Sequence, residues 1–171
     1  MKTIIINDDK LKEGDIERVV IRVKALLFNS SEKILLAYNN NTYQFLGGHV
    51  EEDEDMKLSL QREIKEESGI SVNITDDAFL NIITYDNNYF NTGRKVKNII
   101  YYYRVFSDDI PNFSYTQYDV LEQKSDFDLF YIPFSDLAEF LNHNINNGMI
   151  DIKIGREMLY ALKEYKEVYG G

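Results

Sequence analysis

Apolar and polar positions repeat along this chain with two different periods. From Arg18 to Phe28 the stretch RVVIRVKALLF is rich in β-branched residues, and after polar positions 29–31 a second apolar run covers 34–38. Runs of this kind, bounded by turn formers, predict two strands paired as a hairpin. Asn39, Asn40 and Asn41 predict the next turn and 43–46 a short strand. Gly47 and Gly48 then break the pattern where backbone can approach a ligand closely. From Asp55 to Ser68 the period changes: Met56, Leu60 and Ile64 recur every four residues and Gly69 follows, which predicts one amphipathic helix closed by a C-cap glycine. Further strands are predicted at 70–74, 79–85 and 99–106, the last two joined by the polar stretch DNNYFNTGRKVKN. Residues 107–126 read as a long irregular connection, a length that in a domain marks function or disorder. A strand at 127–134, a helix SDLAEFLNH capped by Ser135 and a final amphipathic helix at 152–168 complete the reading. Strands, one helix, more strands and two late helices predict an α/β (α+β) fold, a mixed sheet covered by helices.

Composition narrows this picture. With 171 residues and 44% hydrophobic content, the chain suits a single domain over 1–171 with a proper core. It has no cysteine, which excludes disulfides, thiolate metal sites and a cysteine nucleophile. The isoleucines Ile4, Ile5 and Ile6 form a run too short for a signal peptide's apolar region or a membrane span, so the expected location is cytoplasmic, without a membrane partner. A formal net charge of −10 argues against non-specific nucleic-acid binding, which depends on clustered cations, but leaves room for a nucleotide carried on metal ions.

The chemistry concentrates in GHVEEDEDMKLSLQREIKEESGI, from Gly48 to Ile70. Residues three and four apart share a helix face, so Glu63, Glu66 and Glu67 are expected to project to one side and crowd their carboxylates together. Such crowding raises carboxylate pKa values unless a cation intervenes. Hard oxygen donors favour Mg²⁺ or Mn²⁺ over Zn²⁺, and Mg²⁺ is usually shared with substrate phosphates. A Glu-rich helix can equally be a solvated face. The spacing decides between the two.

Gly48, Glu54, Arg62, Glu63, Ile64, Glu66, Glu67, Gly69 and Ile70 fill every fixed position of the Nudix box. Chance coincidence at ordinary residue frequencies is on the order of 10⁻⁷. The chain therefore resembles the Nudix (MutT-like) hydrolase superfamily. That resemblance implies an α/β/α sandwich in which the box forms a loop–helix–loop. It implies Glu63, Glu66 and Glu67 as ligands of divalent ions, joined by the Gly47 carbonyl. Arg62, paired with Glu54, would fix those carboxylates. Any of the three glutamates could double as general base, or an acid of the long connection could serve: Glu122, Asp126 or Asp128, Glu122 ranking first and also as a further metal ligand. The implied reaction is hydrolysis of a pyrophosphate bond in a nucleoside diphosphate linked to another group, a small-molecule nucleotide. The alternative is an inactive Nudix-fold nucleotide sensor, and the resemblance also admits a homodimer.

Substrate contacts outside the box are less marked. Arg94, with Lys95 and Lys97, forms a basic cluster that suits either a phosphate clamp or a charged hairpin tip. Tyr85, Tyr89 and Phe90 could stack on a base or pack in the core. His49 reads as loop structure and His143 as polarity at a helix end.

Overall fold

The computed structural model describes residues 1–112 and 127–170. The described chain runs β1 (Lys2–Ile6), β2 (Arg18–Phe28), β3 (Lys33–Asn39), β4 (Thr42–Phe45), α1 (Met56–Ser68), β5 (Leu80–Asp86), β6 (Val96–Phe106), β7 (Asp128–Pro133), α2 (Leu137–Asn146) and α3 (Ile152–Tyr169). The strands form one seven-stranded sheet in the order β1-β5-β6-β2-β3-β4, with β7 paired to β3. β1 lies parallel to β5 and β2 parallel to β6, while the other strand pairs are antiparallel, so the sheet is mixed.

Both faces of the sheet are covered, as the near-continuous apolar runs of β2 and β3 require. Leu26, Phe28, Ile34 and Leu36 point to the side of α2 and α3, where they pack with Leu137, Leu141, Met158 and Leu162. Val23, Ala25, Leu27, Leu35 and Ala37 point the other way, against Leu60 and Ile64 of α1. This is the expected α/β/α arrangement. The period of two in the strands and of four in α1 meet because each element turns one apolar set inward.

The expected hairpin of β2 and β3 forms only at its turn, where Phe28 faces Ile34. Beyond that point β3 diverges to pair with β4 and β7, and residues 46–50 take its place beside β2. There Ala25 N donates to Leu46 O at 2.9 Å, Val23 N to Gly48 O at 3.0 Å, and Val50 N to Ile21 O at 3.0 Å. The first stretch of the glycine loop is thereby stitched along the central strand.

Three other expectations are corrected. Residues 70–74 are not a strand: Ile70 and Ile74 are buried beneath α1, but no ladder pairs them. Ser135 does not cap α2. The capping position is Asp136, which accepts the Ser135 hydroxyl at 2.7 Å and makes no side-chain cap bond to the helix. The N-terminal isoleucines, read only as too short for a span, form β1, aligned with residues 80–84 of β5. The C-terminal helix stands close to its expected limits, and among the described residues no helix is long and apolar enough to cross a membrane.

Candidate active site

α1 is held at both ends by its own sequence. Asp55 caps the start, its carboxylate accepting from Lys57 N at 2.9 Å and Leu58 N at 3.1 Å. Gly69 ends the helix at φ 73°, where a Cβ would also strike the Asn112 carbonyl. Fully burying Leu60 and Ile64 contributes roughly 2 kcal/mol each and fixes the rotation of the helix about its axis.

Arg62 then becomes the centre of a fan. Its Nε and Nη2 donate to the two Glu54 oxygens at 2.9 and 3.0 Å, a two-point grip. Nη1 reaches Glu63 at 2.9 Å and Glu66 at 3.2 Å, and Nη2 also donates to the His49 carbonyl at 3.1 Å. The Arg62 hydrogen bonds hold the Glu54 carboxyl at about 2. Burial pushes the Glu63 carboxyl up, opposed by the neighbouring guanidinium. Glu67, 5% exposed, turns to the loop and accepts from Gly47 N at 2.8 Å. A Cβ at Gly48 would meet the Glu63 carboxylate and push it aside.

The crowding expected of three bare carboxylates is thus relieved from within. Arg62 lies between Glu63 and Glu66, and Glu67 is engaged separately. Among the described residues no three acidic or imidazole groups are gathered as a ready-made cage. The donors at hand are nevertheless carboxylate and carbonyl oxygens around a loop kept open by Gly48, a set that suits a hard divalent ion. The Gly47 carbonyl, expected to reach a metal, accepts a 2.9 Å bond from the Lys24 ammonium.

Lys24 is the residue that sequence reasoning missed. It is 6% exposed, and its ammonium also donates to Phe45 O at 3.0 Å and Gln44 Oε1 at 3.3 Å. Burial lowers its pKa, while the nearby Glu67 carboxylate opposes the shift. Lys24 and Arg22 interrupt the face of β2 that would otherwise pack on α3, and a cleft of about 550 Å³ opens over them. Two cations spaced by two within an apolar strand were the available signal, since they share one face.

The cleft runs between β5, β6 and β2 on one side and the first half of α3 on the other. Tyr85, Tyr89 and Phe90 line it, as do Asn98 and Glu157. Arg22 Nη2 donates to the Tyr89 hydroxyl at 2.6 Å, tying the 89–91 turn to the central strand. The Tyr85 hydroxyl is bonded to Glu13. Glu157 accepts from the Tyr102 hydroxyl, and burial raises its pKa.

Arg94 is exposed at the tip of the β5–β6 connection and does not line the cleft, and Lys97 is paired with Glu13 at 2.8 Å. The cations that line the cleft are Arg22 and Lys24 of β2 with Lys153 and Arg156 of α3. Asp128 is exposed opposite Tyr38 at the start of β7, while Glu122 and Asp126 lie outside the described residues. His49 is exposed beside β2, and desolvation with nearby cations lowers it to about 4.

Comparison with known proteins agrees with this architecture. The model of the NUDIX domain matches residues 19–150. Among solved structures, the chain is similar to a MutT protein from Methanosarcina mazei Go1, at 20% identity and a TM-score of 0.52, over 72% of this chain and 84% of that one. It is similar to a MutT NUDIX hydrolase from Burkholderia pseudomallei, at 20% identity and 0.51, over 70% and 86%. It is also similar to a C. elegans Ap4A hydrolase, at 17% identity and 0.52, over 87% and 97%. At such identities these likenesses establish the shared fold. No curated protein sequence gave a match.

Proposed function

The chain belongs to the NUDIX family, and from that premise we propose that it hydrolyses the phosphoanhydride bond of a nucleoside diphosphate linked to another group. Water attacks one phosphorus, the bridging P–O bond breaks, and nucleoside phosphate and the phosphorylated second group leave. The observation that carries this reading is the junction at Lys24. One ammonium that lines the cleft also holds the Gly47 carbonyl of the glycine loop, which supports a reading in which a phosphate chain at the box and a nucleoside in the cleft share one site.

Glu63, Glu66, Glu67 and the Gly47 carbonyl would hold Mg²⁺, or Mn²⁺ in its stead. When bound, the ion supplies charge neutralisation at the phosphate oxygens and lowers the pKa of the attacking water. Arg62 and Glu54 act as positioning residues, since their two-point pair ties the loop before α1 to the ligand-bearing face. Arg22 and Lys24 place positive charge along the path of the phosphates. Tyr85, Tyr89 and Phe90 offer rings to the nucleoside. The complete set of box glutamates supports turnover over silent sensing.

The test is a panel of nucleoside diphosphate derivatives incubated with Mg²⁺, with released phosphorylated products resolved by chromatography. The Glu66→Gln, Glu67→Gln double variant runs alongside. Turnover by the wild type alone is expected. Nucleotide binding without turnover of any compound would favour the sensor.

A further inference from the structure

We infer that Glu157 is a specificity-determining residue that accepts from the ribose hydroxyls of the nucleotide, so that the cleft favours ribonucleotides over their 2′-deoxy counterparts. The inference rests on the nucleotide reading of the cleft and deepens it.

Glu157 belongs to the first half of α3 and lines the cleft, half-buried. Its Oε1 accepts from the hydroxyl of Tyr102, which lines the cleft from β6, and this bond fixes the carboxylate. Its Oε2 accepts no hydrogen bond among the described residues, and unlike the orphan oxygens of Asn81 and Asn98 it is not shut off from solvent. The carboxylate is thereby anchored through one oxygen and left with the other for a ligand.

The other acids of the cleft are taken. Asp8 and Asp86 are paired with Arg156 and Lys153, Asp151 caps α3, and Asp9 accepts from a backbone amide. Burial works against the Glu157 charge, while the Tyr102 hydroxyl, Lys24 and Arg22 support it. Lys24 and Tyr102 are partners in the ladder of β2 and β6, and both line the cleft. Glu157, held by Tyr102, is therefore placed near the ammonium that grips the glycine loop, at the phosphate end of the cleft. In a nucleotide the unit joined directly to the phosphate is the ribose, and the base lies beyond it. A carboxylate oxygen repels phosphate and takes only donors. The ribose hydroxyls supply two on adjacent carbons, and 2′-deoxyribose lacks one of them.

The experiment is isothermal titration in the absence of metal, with AMP, GMP, CMP and UMP each set against its 2′-deoxy counterpart, on the wild-type protein and on Glu157→Gln. The wild type is expected to prefer the ribonucleotide of whichever pairs bind by about 10- to 100-fold, the worth of one hydrogen bond to a charged group. Glu157→Gln keeps an acceptor for Tyr102 but loses the charge, and it should cut the preference to under about 3-fold, chiefly by weakening the ribonucleotide. The wild-type comparison needs no variant to fold, because the change is made in the ligand. Equal binding within the pairs, a deoxy preference, or a ribose preference that stays whole in Glu157→Gln overturns the inference and leaves the cleft as a nucleotide site. If no nucleotide binds, the nucleotide reading falls with it.

Discussion

The Lys24 ammonium lies 2.9 Å from the Gly47 carbonyl, so a buried positive charge is built into the loop that faces the Glu63 and Glu67 carboxylates. Burial lowers its pKa, and the Glu67 and Glu63 carboxylates oppose that shift. The ammonium acts as a fixed internal counter-ion.

Replacing Lys24 with Met therefore removes more than a charge. The carbonyls of Phe45 and Gly47 lose their donor inside the protein, and stability is expected to fall by about 1–3 kcal/mol. Urea unfolding measures this. A midpoint equal to the wild type's would mean that the ammonium contributes nothing to the loop.

The Arg62–Glu54 pair depends on fork geometry, which a lysine cannot reproduce. Arg62→Lys is expected to lower kcat by about 10- to 100-fold, as loss of an outer partner of a metal ligand typically does. Steady-state kinetics on the substrate found by the panel decides the matter, and unchanged kcat would reduce the pair to surface decoration.

The same pair has a pH signature. Glu54 is depressed to about 2 in the folded protein, below its value of about 4.3 when unfolded. Its contribution is thus fully present above about pH 4.3 and lost as pH falls through about 2. The stability gap between wild type and Glu54→Gln should be flat near neutrality and close across that acid window. A gap that keeps its neutral size at and below pH 2 would exclude the ion pair as its source.

Neighbouring glycines should answer differently to alanine. Gly47 sits at φ 127°, and a Cβ would drive into the Val23 carbonyl of the central strand, so Gly47→Ala is expected to cost about 2–3 kcal/mol. At Gly48 the obstacle is the mobile end of Glu63. Gly48→Ala should leave the melting temperature nearly unchanged while weakening Mn²⁺ binding measured by electron paramagnetic resonance. If the two variants melt alike, the distinction fails.

Arg62 and Lys24 already balance much of the carboxylate charge, so removing metal should not unfold the protein. Chelation with EDTA is expected to abolish turnover and shift the melting temperature by only a few degrees. Loss of the folded state on chelation, followed by circular dichroism, would show that the box needs its ion to stand.

The sequence made the box legible because its spacing is dictated by local geometry: Arg62, Glu63, Glu66 and Glu67 share a helix whose own cap residues mark its ends. The core strands were legible for a similar reason, their apolar period being local. What escaped depended on distant partners. Whether Ile4 to Ile6 form a strand depends on β5, and whether 70–74 do depends on an edge that is not offered to them. Lys24 and Arg22 acquire a setting only when β6 and α3 enclose them. Arg94 drew notice as a local cluster, yet its position at a tip removes it from the cleft.

The parallel ladder of β2 and β6, which sets Arg18 beside Val96 and Phe28 beside Phe106, has a kinetic meaning. The glycine loop, α1 and β5 all belong to the segment that this pairing must close into a ring. Closing so long a segment takes its entropy cost before the ladder repays it, and folds dominated by such pairings form slowly. The helix can wind early on its own caps, but the β6 side of the cleft meets Arg22 and Lys24 of β2 only when that ring shuts.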